Sequence, residues 1–169
     1  MLRLIKYTLV GFFAMAIVAI SPQPLSAAEP MTDTRAQDTV AIGQLIVKYA
    51  QAYDSLDVEG YVGVFAEDAQ FTFTGNTLNG RAEIRKYITN AKQQKAAAPA
   101  KVPVTKSYHS ISNTLIEFVS ATEAHHRSYW QVVSGPAGGP FTVGNMGVYE
   151  DVITKKNGQW LIQKRNIPQ

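Results

Sequence analysis

The sequence has no cysteine and only three histidines in 169 residues. The first absence excludes disulfides, thiolate metal sites and a cysteine nucleophile. The second leaves a zinc site short of its usual ligands. His125 and His126 look like a metal pair, but adjacent strand residues point to opposite faces and cannot easily hold one ion together. No metal is expected. Charge is sparse as well: 17% of residues are charged and the formal net charge is +3. There is no basic patch, so nucleic-acid binding has no support. The one long uncharged apolar run, Tyr7 to Ile20, is shorter than the roughly 20 residues a membrane span needs.

That run sits inside a three-part leader. Arg3 and Lys6 give a positive start, Tyr7 to Ile20 an apolar middle, and Ser21 to Ala28 a turn-prone end closing on Ser26-Ala27-Ala28. This is the layout of an export signal. Residues 1–28 are therefore expected to be removed, giving a periplasmic or secreted protein that no longer touches the membrane. An uncleaved N-terminal anchor is the competing reading. Cleavage after Ala28 takes 28 of the 169 residues and leaves 141, with a net charge of +1 because Arg3 and Lys6 go and no acid goes with them. That length suits one domain with a real core.

Residues 29–35 are polar and read as a flexible leader; one domain is expected over 36–169. Apolar residues at Ile42, Leu45, Ile46, Tyr49 and Tyr53 predict a helix over 36–53. Asp57 reads as the N-cap of a second helix carrying Val58, Tyr61, Val62, Val64 and Phe65. Residues 70–74 alternate around Phe71 and Phe73, as in a short strand. Gly75-Asn76 and Asn79-Gly80 are turn chemistry, and a third helix follows over about 81–94. The Ala- and Pro-rich stretch 95–103 reads as a loop. Strands are expected over 104–120, 122–134, 141–154 and 159–166, with a hairpin turn at Asn157-Gly158. Helices followed by long antiparallel strands argue α+β. A strongly curved sheet folded over a helix has an interior suited to a small molecule.

The local text is more specific. Tyr49-Ala-Gln-Ala-Tyr53-Asp54-Ser55-Leu56-Asp57, Val64-Phe65-Ala66-Glu67-Asp68, Leu78-Asn79-Gly80-Arg81, Tyr108-His109-Ser110-Ile111-Ser112-Asn113, Gly147-Val148-Tyr149-Glu150-Asp151 and Gly158-Gln159-Trp160-Leu161-Ile162 follow one another in order. Together they resemble SnoaL-like proteins of the NTF2-like superfamily over nearly the whole mature chain. The resemblance implies a cone of three N-terminal helices packed on a strongly curved, mostly antiparallel sheet, and a homodimer. It says little about activity, because the superfamily holds dehydratases, isomerases, cyclases, hydrolases and non-catalytic domains. Within it, the Tyr-Asp-Ser triplet with a downstream histidine is similar to scytalone dehydratases, and the spacing of Tyr49, Asp54 and His109 to bacterial bile-acid dehydratases. Both eliminate water beside a carbonyl without metal or coenzyme. Scytalone dehydratases also carry a second pocket histidine late in the following strand, where this chain has Val132-Val133-Ser134. A ketosteroid isomerase-type base would fall near Phe73, which cannot take a proton.

The resemblance carries catalytic roles onto Tyr49, Tyr53, Asp54 and His109. Elimination beside a carbonyl needs a base for the α-proton, a donor for the enolate oxygen and an acid for the departing hydroxyl. Histidine suits the first and last, an adjacent aspartate orients it, and tyrosine hydroxyls suit the second. His109, Ile111 and Asn113 share a strand face, with Leu115 continuing it. Asp54 stands ~100° round the helix from Tyr53, so it reaches the interior only if the helix end lies along the rim. Phe73, Asn113, His126, Trp130, Met146 and Tyr149 are the expected ligand-binding wall. Each has a plainer reading: His109 as a backbone-satisfied core histidine, Asp54 as a helix-closing residue, the tyrosines and the wall as ordinary core, Asn113 as a bulge residue. Two functions follow. One is a cofactor-independent lyase (dehydratase) or isomerase acting on a small apolar carbonyl compound. The other is a non-catalytic exported protein that binds a small apolar ligand in the same cone.

Overall fold

The computed structural model describes residues 33–97 and 105–168. The export signal expected over residues 1–28 lies outside the described residues. The element order is α1 (Asp33–Ser55), α2 (Val58–Gly63), β1 (Phe65–Phe73), β2 (Asn76–Asn79), α3 (Gly80–Ala96), β3 (Thr105–Phe118), β4 (Glu123–Pro136), β5 (Thr142–Lys156) and β6 (Gln159–Ile167). The α1 helix starts at Asp33, inside the stretch expected to be a loose leader. The β1 strand starts at Phe65, because Val64 closes α2 and hands over directly to the sheet. The turn chemistry at Asn76 to Asn79 is itself a short strand, pairing back on β1.

The six strands form one sheet in the order β2-β1-β6-β5-β4-β3. Every neighbouring pair is antiparallel except β1 with β6, which is parallel. The sheet is curved. Register shifts interrupt the ladders near Ser112, Gln131 and Val152, and such bulges bend a strand and increase its twist. The α1 helix packs on both β3 and β6, three strands apart, and so lies across the concave side. Asn157 and Gly158, both at positive φ, form the tight β5–β6 hairpin that the Asn-Gly pair predicts. The fold is therefore the expected α+β cone.

Ile42, Leu45, Ile46 and Tyr49 of α1 meet Tyr61, Phe65, Phe71, Ile84, Ile88, Tyr149, Ile153 and Ile162 in one buried core. Carboxylates pin α1 near both ends. Near its start, Asp38 Oδ1 accepts from Lys155 Nζ at 2.7 Å and from Trp160 Nε1 at 2.8 Å. At its finish the chain turns through Leu56 in the left-handed region. There Asp57 N–H donates to Ala52 O and Leu56 N–H to Tyr53 O. This pair of bonds is a Schellman closure, and it makes Asp54 the last fully helical residue but one. Asp57 then caps α2 by accepting from Gly60 N.

Candidate functional site

A carboxylate at a helix C-terminus is electrostatically disfavoured, by about 0.3–1 kcal/mol at an exposed site. Asp54 sits there, and both its oxygens are engaged by one residue of β3. Oδ1 lies 2.6 Å from His109 Nδ1, and Oδ2 accepts from His109 backbone N–H at 2.9 Å. A carboxylate only accepts, so Nδ1 carries the proton and Nε2 of the neutral ring keeps its lone pair for exchange. Both side chains are mostly buried, at 12% exposure for His109 and 15% for Asp54. Since β3 is the edge strand of the sheet, the backbone bond satisfies an edge N–H with the helix end and holds the Asp54 carboxylate at two points.

Around this pair stand half-buried aromatic groups. The Tyr53 ring meets the imidazole edge-on at 5.2 Å between centroids, and Trp130 lies 6.1 Å away on β4. Trp130 in turn stacks on Tyr149 at 5.7 Å. Tyr53 and Tyr87 bring their hydroxyls within 3.3 Å of each other. Phe73 stacks on Phe71 at 4.7 Å and packs against Tyr87 at 4.9 Å. Tyr49 lies deeper. Its hydroxyl accepts from Tyr61 Oη at 3.2 Å, and the ring is fully enclosed. Burial pushes the Tyr49 hydroxyl up from its ordinary value, partly offset by the Arg165 charge beneath it.

The structure thus brings together His109, Asp54, Tyr53 and Trp130, with Phe73 linked through Tyr87. It separates others. His126 is buried, and its Nδ1 meets Asp151 Oδ2 at 2.7 Å. It is six residues along β4 from Val132, the partner of His109, and six residues of strand span ~20 Å. Met146 is 73% exposed, which removes it from the wall. It lies three residues from inward Tyr149 in unbroken register, so the plain alternation of β5 puts it on the outer face, paired with Gln131. Asn113 is exposed at φ 52° inside the β3 bulge, and is not a wall residue either. The same bulge reverses the alternation, so Leu115 points out at 53% exposure while Ile116 and Phe118 are partly buried against the core. His125 faces the outer groove with Arg127 and Glu150.

The expected chamber also needs correction. A groove of about 830 Å³ lies along the other side of α1, between α2 and the β5–β6 hairpin, lined by residues such as Gln44, Lys48, Gln51 and Trp160. Among the described residues lining it, none belongs to the His109 group. Aromatic rings run in contact from Phe65 through Tyr61 and Tyr53 to Tyr87, so side chains fill the space between α1, α2 and α3.

Sequence reasoning missed a second buried polar group. Arg165 donates from Nε and Nη2 to Asp151 at 2.8 and 2.6 Å, and its guanidinium lies 3.8 Å from the Tyr49 ring and 4.1 Å from the Tyr149 ring. Burial raises the Asp151 carboxyl, but the Arg165 charge and hydrogen bonds, with His126, bring it below its ordinary value. Asp151 shares the Tyr149–Ile153 alternation, a signal that a lone acid on an inward face needs a partner. Tyr87 was the other omission; it lies three residues after buried Ile84 on α3, and nothing in the sequence marks its hydroxyl. No group of three or more potential metal-ligating side chains occurs among the described residues.

A curved six-stranded sheet with α1 laid across its concave side, and a histidine–aspartate pair at the helix end, define a cone of the NTF2-like, cystatin-like kind. The chain belongs to the SnoaL-like domain family, whose model matches residues 34–166. Among solved structures, it is similar to the Rv3472 protein of Mycobacterium tuberculosis, of unknown function. The identity is 28% and the TM-score 0.66, covering 79% of this chain and 76% of that one. A candidate scytalone dehydratase from Novosphingobium aromaticivorans matches at 26% identity and TM-score 0.65, covering 81% of this chain and 87% of the other. A protein of unknown function with a cystatin-like fold from Nostoc punctiforme matches at 25% identity and TM-score 0.64, over 78% and 90%. No curated protein sequence matches the chain.

Proposed function

We propose that the protein is a cofactor-independent lyase (dehydratase) or isomerase acting on a small, mostly apolar carbonyl compound. The observation that carries this reading is the two-point hold of Asp54 on His109. His126 also meets a carboxylate, but Asp151 is held by Arg165 and both side chains are fully enclosed, whereas the His109–Asp54 pair keeps some exposure. Here a carboxylate fixes the tautomer, can stabilise an imidazolium and leaves Nε2 for chemistry. His109 Nε2 takes the proton α to the carbonyl, and the C–H electrons move into the C–C bond while the carbonyl oxygen becomes an enolate. A tyrosine hydroxyl, from Tyr49 or Tyr53, holds that oxygen. The enolate then collapses, the β-hydroxyl leaves, and His109 returns its proton to it as water. In an isomerase the same proton returns to a different carbon.

The resemblance to a candidate scytalone dehydratase agrees with this chemistry. Incubation with a panel of β-hydroxy ketones, followed by the absorbance of the conjugated enone, tests it. Enone formation by the wild-type protein and none by His109→Ala is expected. Equal turnover in both would exclude the reading and leave an exported ligand-binding protein in its place.

The protein acts outside the cytoplasm, as the leader implies, and works as a homodimer. Support for the dimer comes from the outer sheet face, where Tyr108, Leu115, Tyr129, Val143 and Met146 are all exposed. A cluster of large apolar side chains of this kind marks an association surface.

A further inference from the structure

Two tyrosine hydroxyl pairs lie beneath the end of α1. In one, Tyr61 donates to Tyr49, and both rings are buried. In the other, Tyr53 and Tyr87 meet, and both are half-buried. When one hydroxyl donates to another, one proton of the pair is left for a third group, and the pair polarises it. In the first pair that proton belongs to Tyr49. The Tyr49 ring is covered by Arg165 on one side and hemmed by Phe65 and Tyr149 at 5.9 and 5.6 Å. A ligand could reach it only by opening the core. The second pair borders His109 directly through the Tyr53 ring.

We propose that Tyr53 and Tyr87 together hold the ligand's carbonyl oxygen beside His109, making Tyr87 of α3 a binding residue of the site. The inference rests on the acid–base reading of His109 and selects between the two tyrosines of α1. Phe71 and Phe73 pack against the Tyr87 ring at 6.0 and 4.9 Å and hold it in place. Burial, followed by the hydrogen bond shared with Tyr53, keeps the Tyr87 hydroxyl far above its ordinary ionisation range, so it stays protonated at any physiological pH. A hydroxyl proton polarised by its neighbour suits an enolate better than a neutral carbonyl, because hydrogen bonds to an ionised acceptor are about twice as strong.

Binding of para-nitrophenol to the full protein tests this without turnover, since its phenolate mimics an enolate oxygen and reports its own ionisation by colour. The wild-type protein is expected to bind the phenolate in preference to the phenol. Tyr53→Phe and Tyr87→Phe should each weaken phenolate binding about tenfold or more, with little change for the neutral phenol. Tyr49→Phe should change it less, and Tyr129→Phe on the outer sheet face should not change it. A wild-type protein that takes up no phenolate, or an equal response to all four variants, overturns the proposal. Phenolate binding without enone formation keeps the donor pair and removes the reaction. Enone formation with unaltered phenolate binding in Tyr53→Phe and Tyr87→Phe keeps the reaction and removes the donor pair.

Discussion

Asp54 holds His109 by two bonds at once, one to the ring nitrogen at 2.6 Å and one to the backbone N–H at 2.9 Å. The two residues are 55 positions apart, so the bond ties the end of α1 to the middle of β3. It couples helix placement to imidazole orientation. A shift of the helix end would turn the ring, and the Schellman closure at Leu56 keeps that end from unwinding.

Replacing the aspartate by its amide separates orientation from fold. In Asp54→Asn the amide nitrogen can donate to Nδ1, which moves the ring proton to Nε2 and removes the lone pair. Turnover of whichever β-hydroxy ketone the wild type accepts should fall by about 10²-fold or more, while thermal stability falls far less than in a core variant. Steady-state rates with a parallel melting curve check both halves.

The Arg165–Asp151–His126 group should behave as a stability element. Its side chains are fully enclosed, so removing one partner strands a buried charge. Asp151→Asn or Arg165→Met should cost about 3–5 kcal/mol, read from denaturant unfolding. A variant with wild-type stability would show that the charges are solvated in solution.

The same group sets an acid limit. Asp151 titrates below its ordinary value in the folded protein, so its contribution is fully present above the unfolded carboxyl range, near pH ~4. It is lost as pH falls through the lower folded value. Unfolding followed across the acid range should show a steep loss of stability that is blunted in Asp151→Asn.

The outer sheet face yields a test of assembly. Val143 and Met146 are 58% and 73% exposed, and a lysine at either would place a charge in a paired apolar face. Sedimentation should show a dimer for the wild type and a monomer for Met146→Lys. A wild-type monomer at high concentration would contradict the assembly.

Much of this was legible in the sequence for plain physical reasons. The α1 stripe repeats every three or four residues, the Asn-Gly hairpin needs positive φ at two positions, and the α+β order follows from periodicity. The pairing of Asp54 with His109 was legible only as a condition, that the helix end lie on the rim. The rest depends on bulges. A single left-handed residue, Asn113, reverses the face of everything after it on β3. Met146 is a different case: it lies three residues from inward Tyr149, so the alternation of β5 itself places it outside. Arg165 was invisible for another reason: its neighbours in sequence are polar, and its partner lies on the adjacent strand.

Hydrogen exchange at carbon tests the acid–base role most directly. A panel of cyclic ketones held in deuterium oxide with the protein can be followed by proton NMR at the α-position. The account predicts loss of the α-proton signal with the wild-type protein, at a rate far above the buffer rate, and no acceleration with His109→Ala. Exchange that is equally fast in the variant, or no faster than buffer in the wild type, would contradict it.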